Sequence, residues 1–96
     1  MMDEKEIERR LKEWSNEMVN KFDSLTIRYE YSNSLCCYRV SYTTIHNKEQ
    51  ATKFYKFLIE FEKKMEKDYP YDAPLFTDDN RLFKLSQKAI VIKRKS

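Results

Sequence analysis

A chain of 96 residues without a single glycine must build every turn from residues that carry a side chain. Left-handed backbone positions, which glycine takes at no steric cost, then fall on Asn, Asp or a less suited residue. Ser and Pro supply the rest of the punctuation. The same absence removes whole classes of site. Gly-rich phosphate cradles and dinucleotide fingerprints need glycines where backbone approaches ligand, and none exist here.

Between these restricted turns the apolar pattern is clear. From Asp3 to about Phe22, Ile7, Leu11, Trp14, Met18 and Phe22 recur at spacings of four and three, the stripe of an amphipathic helix. Asp3 with Glu6 has capping-box spacing, and Glu6–Arg10, Glu8–Lys12 and Glu17–Lys21 place acid before base on the exposed face. Leu25 to Tyr31 alternates instead: Leu25, Ile27, Tyr29 and Tyr31 share one face, Thr26, Arg28 and Glu30 the other. Ser32-Asn33-Ser34 reads as a turn, with Asn33 the candidate for the left-handed position. A second strand, about Leu35 to Ile45, puts Cys36, Tyr38, Val40 and Tyr42 on the apolar face and Cys37, Arg39, Ser41 and Thr43 on the polar one. Pairing parity allows a loop of two residues (Ser32, Asn33) or four (Ser32 to Leu35).

Asn47, with Gln50 three positions on, caps a second helix that runs to about Asp68. Its inward stripe is Ala51, Phe54, Leu58, Phe61 and Met65, but Tyr55, Phe57 and Ile59 widen the apolar arc past ~100°. Tyr69 to Pro74 holds two prolines and is a loop. Leu75–Thr77 reads as a short edge strand, Asp78-Asp79-Asn80 as a turn, and Arg81–Leu85 with Lys88–Lys93 as a second hairpin around Ser86-Gln87. The pattern therefore predicts a single α+β domain over 1–96, a two-layer sandwich of order α-β-β-α-(β)-β-β. Two helices are expected on one face of a four- or five-stranded antiparallel sheet. Residues 93–96 form a basic tail.

Composition bears on function through charge. The net charge is +3, from 19 basic and 16 acidic residues. From Lys84 onward only bases occur: Lys84, Lys88, Lys93, Arg94 and Lys95. Charge runs of this kind are usually a solvated end; the sharper reading is a foothold for nucleic acid. No run reaches the ~18 apolar residues of a membrane span, and the first residues lack the apolar core of a signal peptide. Cytoplasmic location without membrane attachment is the expectation. The adjacent Cys36 and Cys37 point to opposite faces of a strand, so they are not expected to bridge.

The constellations that carry catalysis are missing or isolated. His46 is the only histidine, and Cys37 lies nine residues away along a strand, too far for a nucleophile–base pair. Asp78-Asp79-Asn80 lacks the spaced ligands and glycine of a calcium loop. No metal or cofactor and no enzymatic activity is expected. The sequence points to a non-enzymatic binding or adaptor module acting through protein–protein contacts, with Tyr55, Phe57 and Ile59 as the interface of a homodimer or with another protein. The alternative is nucleic-acid binding through Arg28, Arg39, Arg81, Lys84, Lys93, Arg94 and Lys95 on the polar sheet face and basic end.

Overall fold

A computed structural model describes residues 2–43, 45–77 and 85–94. The order is α1 (Met2–Lys21), β1 (Thr26–Ser32), β2 (Cys37–Tyr42), α2 (Lys48–Asp68), β3 (Leu75–Thr77) and β4 (Ile90–Lys93). The protein is α+β, with two helices and a four-stranded mixed sheet in the order β3-β2-β1-β4.

Each helix forms where its stripe demanded. Ile7, Leu11, Met18 and Phe22 are buried, and Ser15 and Val19 join them. The helix already includes Met2, so Asp3 lies inside its first turn and not at its cap. In α2, Asn47 Oδ1 accepts from Gln50 N at 3.0 Å, satisfying a donor that the helix start leaves open. Phe54, Leu58 and Met65 form its buried line. Trp14 joins the helices: its ring stacks on Phe61 at 4.6 Å and 3°, and meets Phe54 at 6.1 Å. Arg10 adds an ion pair to Asp68 at 2.8 Å.

β1 and β2 form the expected hairpin, with Tyr29 opposite Val40 and Tyr31 opposite Tyr38. Ile27, Tyr29, Val40 and, from β4, Ile92 are buried in one core with residues of both helices. Arg28, Glu30 and Arg39 alternate to the other side, as strand geometry requires. Side chains of both helices meet the apolar face: Glu8 accepts from Tyr29, and Phe54 packs edge-on against Tyr42 at 5.3 Å.

Several expectations are corrected. The sheet is not wholly antiparallel: β3 runs parallel to β2, with Val40 opposite Phe76, because α2 carries the chain back to the end at which β2 began. The hairpin loop has four residues but is displaced by one, Ser32 pairing with Cys37 and residues 33–36 making the turn. Cys36 therefore leaves the apolar strand face. It, not Asn33, takes the left-handed position, at φ 57°, and it is exposed. Ser24 occupies the second such position, at φ 69°, in the turn after α1. Finally, Cys37 lies on the polar face yet is buried, as are Ser41 and Ser32, so that face is less wet than its polarity implied. The turn Asp78–Asn80 and most of the arm Arg81–Leu85 lie outside the described residues, as does Lys95. The final strand begins at Ile90, two residues later than expected.

Candidate functional site

The tip of the β1–β2 hairpin and the proline loop after α2 meet at one end of the molecule. The loop is pinned at its start by Tyr69, which is buried, donates its N–H to Met65 O at 2.7 Å and lies under the Arg10 guanidinium. Two prolines then hold residues 70–74 out of regular structure. Tyr71, between them, is 93% exposed. Leu35 at the hairpin tip is 48% exposed and Leu75 at the start of β3 42%. Leu35, Pro70, Tyr71, Pro74 and Leu75, with Cys37, line an open groove of about 550 Å³.

On the other side of the same two segments lies a smaller recess of about 80 Å³. Its wall comprises Glu4 and Ile7 from α1, Tyr31 and Tyr38 from the hairpin, Cys36 at the tip and Asp72 from the loop. The Tyr31 and Tyr38 rings meet edge-on at 5.2 Å. Neither Glu4 nor Asp72 has an ion pair or side-chain hydrogen bond among the described residues. Their charge is felt by the neighbours. Burial raises the Tyr31 phenol, and Glu4 raises it further. Burial pushes Tyr38 up to about 12, with Glu8 and Glu4 adding to it. The Cys37 thiol rises through burial, then through Cys36 and Asp72.

These shifts set an alkaline limit on the fold. A phenol held above its unfolded value of 10.0 contributes stability that is complete below pH 10 and lost as pH rises through the folded value. Stability to urea is expected to fall between pH 10 and 12, and Tyr38→Phe to flatten that fall by on the order of 1 kcal/mol after solvent screening. Tyr29, raised by burial and by Glu8, acts in the same direction.

Of the residues anticipated for nucleic acid, Arg28, Arg39 and Arg94 engage acceptors of the protein itself. Arg39 Nη2 donates to Glu30 Oε1 at 3.4 Å, and Arg28 Nη2 to the Ser86 carbonyl at 3.3 Å. Ser86 donates from both N and Oγ to Glu30, tying the 86–89 turn to the polar face. Lys93 is not in a tail: it closes β4 opposite Thr26. Arg94 reaches Asp23 and the Asn20 carbonyl. Arg81, Lys84 and Lys95 lie outside the described residues.

The anticipated α2 interface is also divided. Phe57 packs edge-on against Phe22 at 6.1 Å, with the Lys21 ammonium 5.3 Å from its ring centroid. Tyr55 is 39% exposed but meets Tyr42 at 6.4 Å, and Ile59 alone of the three is half open. His46 is exposed beside the α2 cap. No group of three His, Cys, Asp or Glu residues able to hold a metal occurs among the described residues. Nor is any described helix long and apolar enough to cross a membrane.

No family model matches this chain, and no curated protein or solved structure does either. The geometry therefore carries the functional reading. Reasoning from sequence passed over Glu4, Leu35, Tyr71 and Leu75. The signal available for Tyr71 was two tyrosines interleaved with prolines in a loop, where an aromatic has no strand or helix face to bury against.

Proposed function

We propose that this chain is a non-enzymatic binding module acting through protein–protein contacts made at the hairpin-tip and proline-loop end. The observation that carries the reading is the convergence there of Leu35, Tyr71 and Leu75, all exposed, around a concave groove. Apolar side chains gathered in one place mark interaction surfaces, whereas scattered ones do not. Tyrosine offers large contact area at little entropic cost, and prolines reduce the freedom lost on binding. Ile59 is a weaker anchor, since Lys56, Glu62 and Lys63 stand three or four residues away on the same helical surface. The occupant proposed for this end is a separate protein, and self-association through it is the alternative that sedimentation reads. The two free thiols suit a cytoplasmic setting.

Nucleic-acid binding is less well supported, because Arg28, Arg39 and Arg94 already hold protein acceptors. Charges so engaged release fewer counterions on meeting phosphate.

The test is a selection of random peptides on the immobilised chain, followed by nuclear magnetic resonance mapping of the enriched binders. Shifts are expected around residues 33–37 and 70–75, and Leu35→Ser with Tyr71→Ser should weaken binding at least about tenfold, consistent with loss of interface anchors. Its thermal midpoint should stay near that of the parent, both side chains being exposed. Mapping to Tyr55 and Ile59 instead would move the interface to α2 and overturn this assignment.

A further inference from the structure

We infer that the recess between Glu4, Tyr31, Tyr38 and Asp72 receives a lysine or arginine side chain from the protein bound at this end. The inference rests on the protein-binding reading above and names the chemistry of the partner.

Charge is the first argument. Five of the described acids are in ion pairs: Glu13 with Arg9, Glu30 with Arg39, Asp68 with Arg10, Asp23 with Arg94 and Glu49 with Lys53. Glu4 and Asp72 are in none of these pairs, and they line one recess although their segments are far apart in the chain. The nearby base on α1, Arg10, is held by Asp68 and the Tyr69 ring, so it does not serve as their counterion. Two carboxylates without a cation, beside aromatic rings whose faces attract positive charge, complement an ammonium or guanidinium group. After burial, and for Tyr38 after Glu8, Glu4 adds to the raising of the Tyr31 and Tyr38 phenols.

Size is the second argument. A volume of about 80 Å³ matches an ammonium or guanidinium head group with the methylene next to it. Surroundings are the third. The recess and the apolar groove lie on either side of segments 35–37 and 71–73, since Cys36 and Asp72 line one while Leu35, Cys37, Tyr71 and Ala73 line the other. A partner that covers Leu35 and Tyr71 covers the walls of both. The fit is a segment with a basic residue close to an apolar one. Because the chain as a whole carries +3, a general electrostatic attraction would favour acidic peptides, and a preference for bases identifies this site.

The experiment repeats the peptide selection, near 0.15 M salt, on the parent and on Glu4→Gln/Asp72→Asn. The parent pool is expected to be enriched in Lys or Arg beside an aliphatic or aromatic residue. The variant pool should keep the apolar residue and lose the basic one. A selected peptide with its base changed to norleucine should bind the parent about tenfold more weakly and the variant equally well. Free N-acetyl-lysine methylamide serves as the small-amine probe; binding it as tightly as the peptide would overturn assignment to a partner's side chain. Equal basic enrichment in both pools, or none in the parent pool, would overturn the inference while leaving the protein-binding reading in place. Pools whose binding ignores Tyr71→Ser would instead remove the reading itself, and the inference with it. Sedimentation of the parent as a dimer that Glu4→Gln/Asp72→Asn dissociates would assign the base to a second copy and overturn the separate partner. Peptides that lack bases but still bind the variant show that it is folded.

Discussion

Trp14→Ala is expected to lower the stability of the fold by about 3–5 kcal/mol, the range for large aromatic truncations in cores. The residue is only partly buried, yet it is the one ring that touches α2 twice and the sheet once. It stacks on Phe61, tilts against Phe54 and meets Phe76 of β3 edge-on at 5.8 Å. Phe61 and Phe76 also touch each other, at 6.0 Å, so the three rings close a cluster that ties α1, α2 and β3 together. Removing the indole empties the centre of that cluster. It forfeits dispersion contacts with all three neighbours as well as the transfer free energy of the ring. A domain of this size has only ~5–15 kcal/mol of net stability, so a loss near the upper end would populate the unfolded state at ambient temperature. Urea titration followed by far-ultraviolet circular dichroism checks it, because the variant lacks the chain's sole tryptophan. Trp14→Phe retains a stacking ring and should recover more than half of the loss.

Glu30→Ala is expected to cost about 2 kcal/mol, less than a core truncation but more than an exposed ion pair contributes. Glu30 accepts from Ser86 N and Ser86 Oγ and pairs with Arg39, whose side chain is 23% exposed. The variant removes the carboxylate beside Arg39 and two of the bonds that hold the 86–89 turn to the sheet, leaving the Arg28 bond to the Ser86 carbonyl. The pH dependence identifies the cause. The Ser86 bonds, then Arg39, hold the Glu30 carboxyl below its ordinary value of 4.5. A depressed pKa contributes stability that is present above 4.5 and lost as pH falls through the folded value. The parent should therefore lose stability in acid, and Glu30→Ala should lose less over the same interval. Glu62 works in the opposite sense. Burial, then Glu66, raises its carboxyl, so its contribution is present below 4.5 and lost as pH rises through the raised value. In both proteins the Glu62 component offsets part of the acid loss.

The parts of the fold that were legible in sequence are those with a long repeat. Five apolar residues over α1 and an alternation through Tyr29, Tyr31, Tyr38 and Tyr42 leave one choice of buried face. The direction of β3 had no such signal. Leu75-Phe76-Thr77 is too short to carry a register, and only the crossover through α2 makes it parallel. The left-handed residue was misplaced for a related reason. Without glycine, several turn residues compete, and Asn33 has the better intrinsic preference. Pairing of Tyr31 with Tyr38 outweighs it and leaves the strained position to Cys36. The recess was not legible because Glu4, Tyr31 and Asp72 come from three segments whose approach depends on how the helices dock. The arginines of the polar face were placed on the correct side, but their engagement by Glu30 and Ser86 is a tertiary fact.

The parallel placement of β3 also orders the assembly of the molecule. Only the β1–β2 hairpin joins strands that are neighbours along the chain. β3 cannot reach β2 until the whole of α2 has been laid across the sheet, and β4 returns to β1 from the opposite end of the sequence. Both outer strands thus wait on distant encounters whose loop-closure entropy is met only once the helices have collapsed onto the hairpin. Folding should proceed from the centre of the sheet outward. The binding end, whose proline loop leads into β3, is then completed among the last parts of the structure.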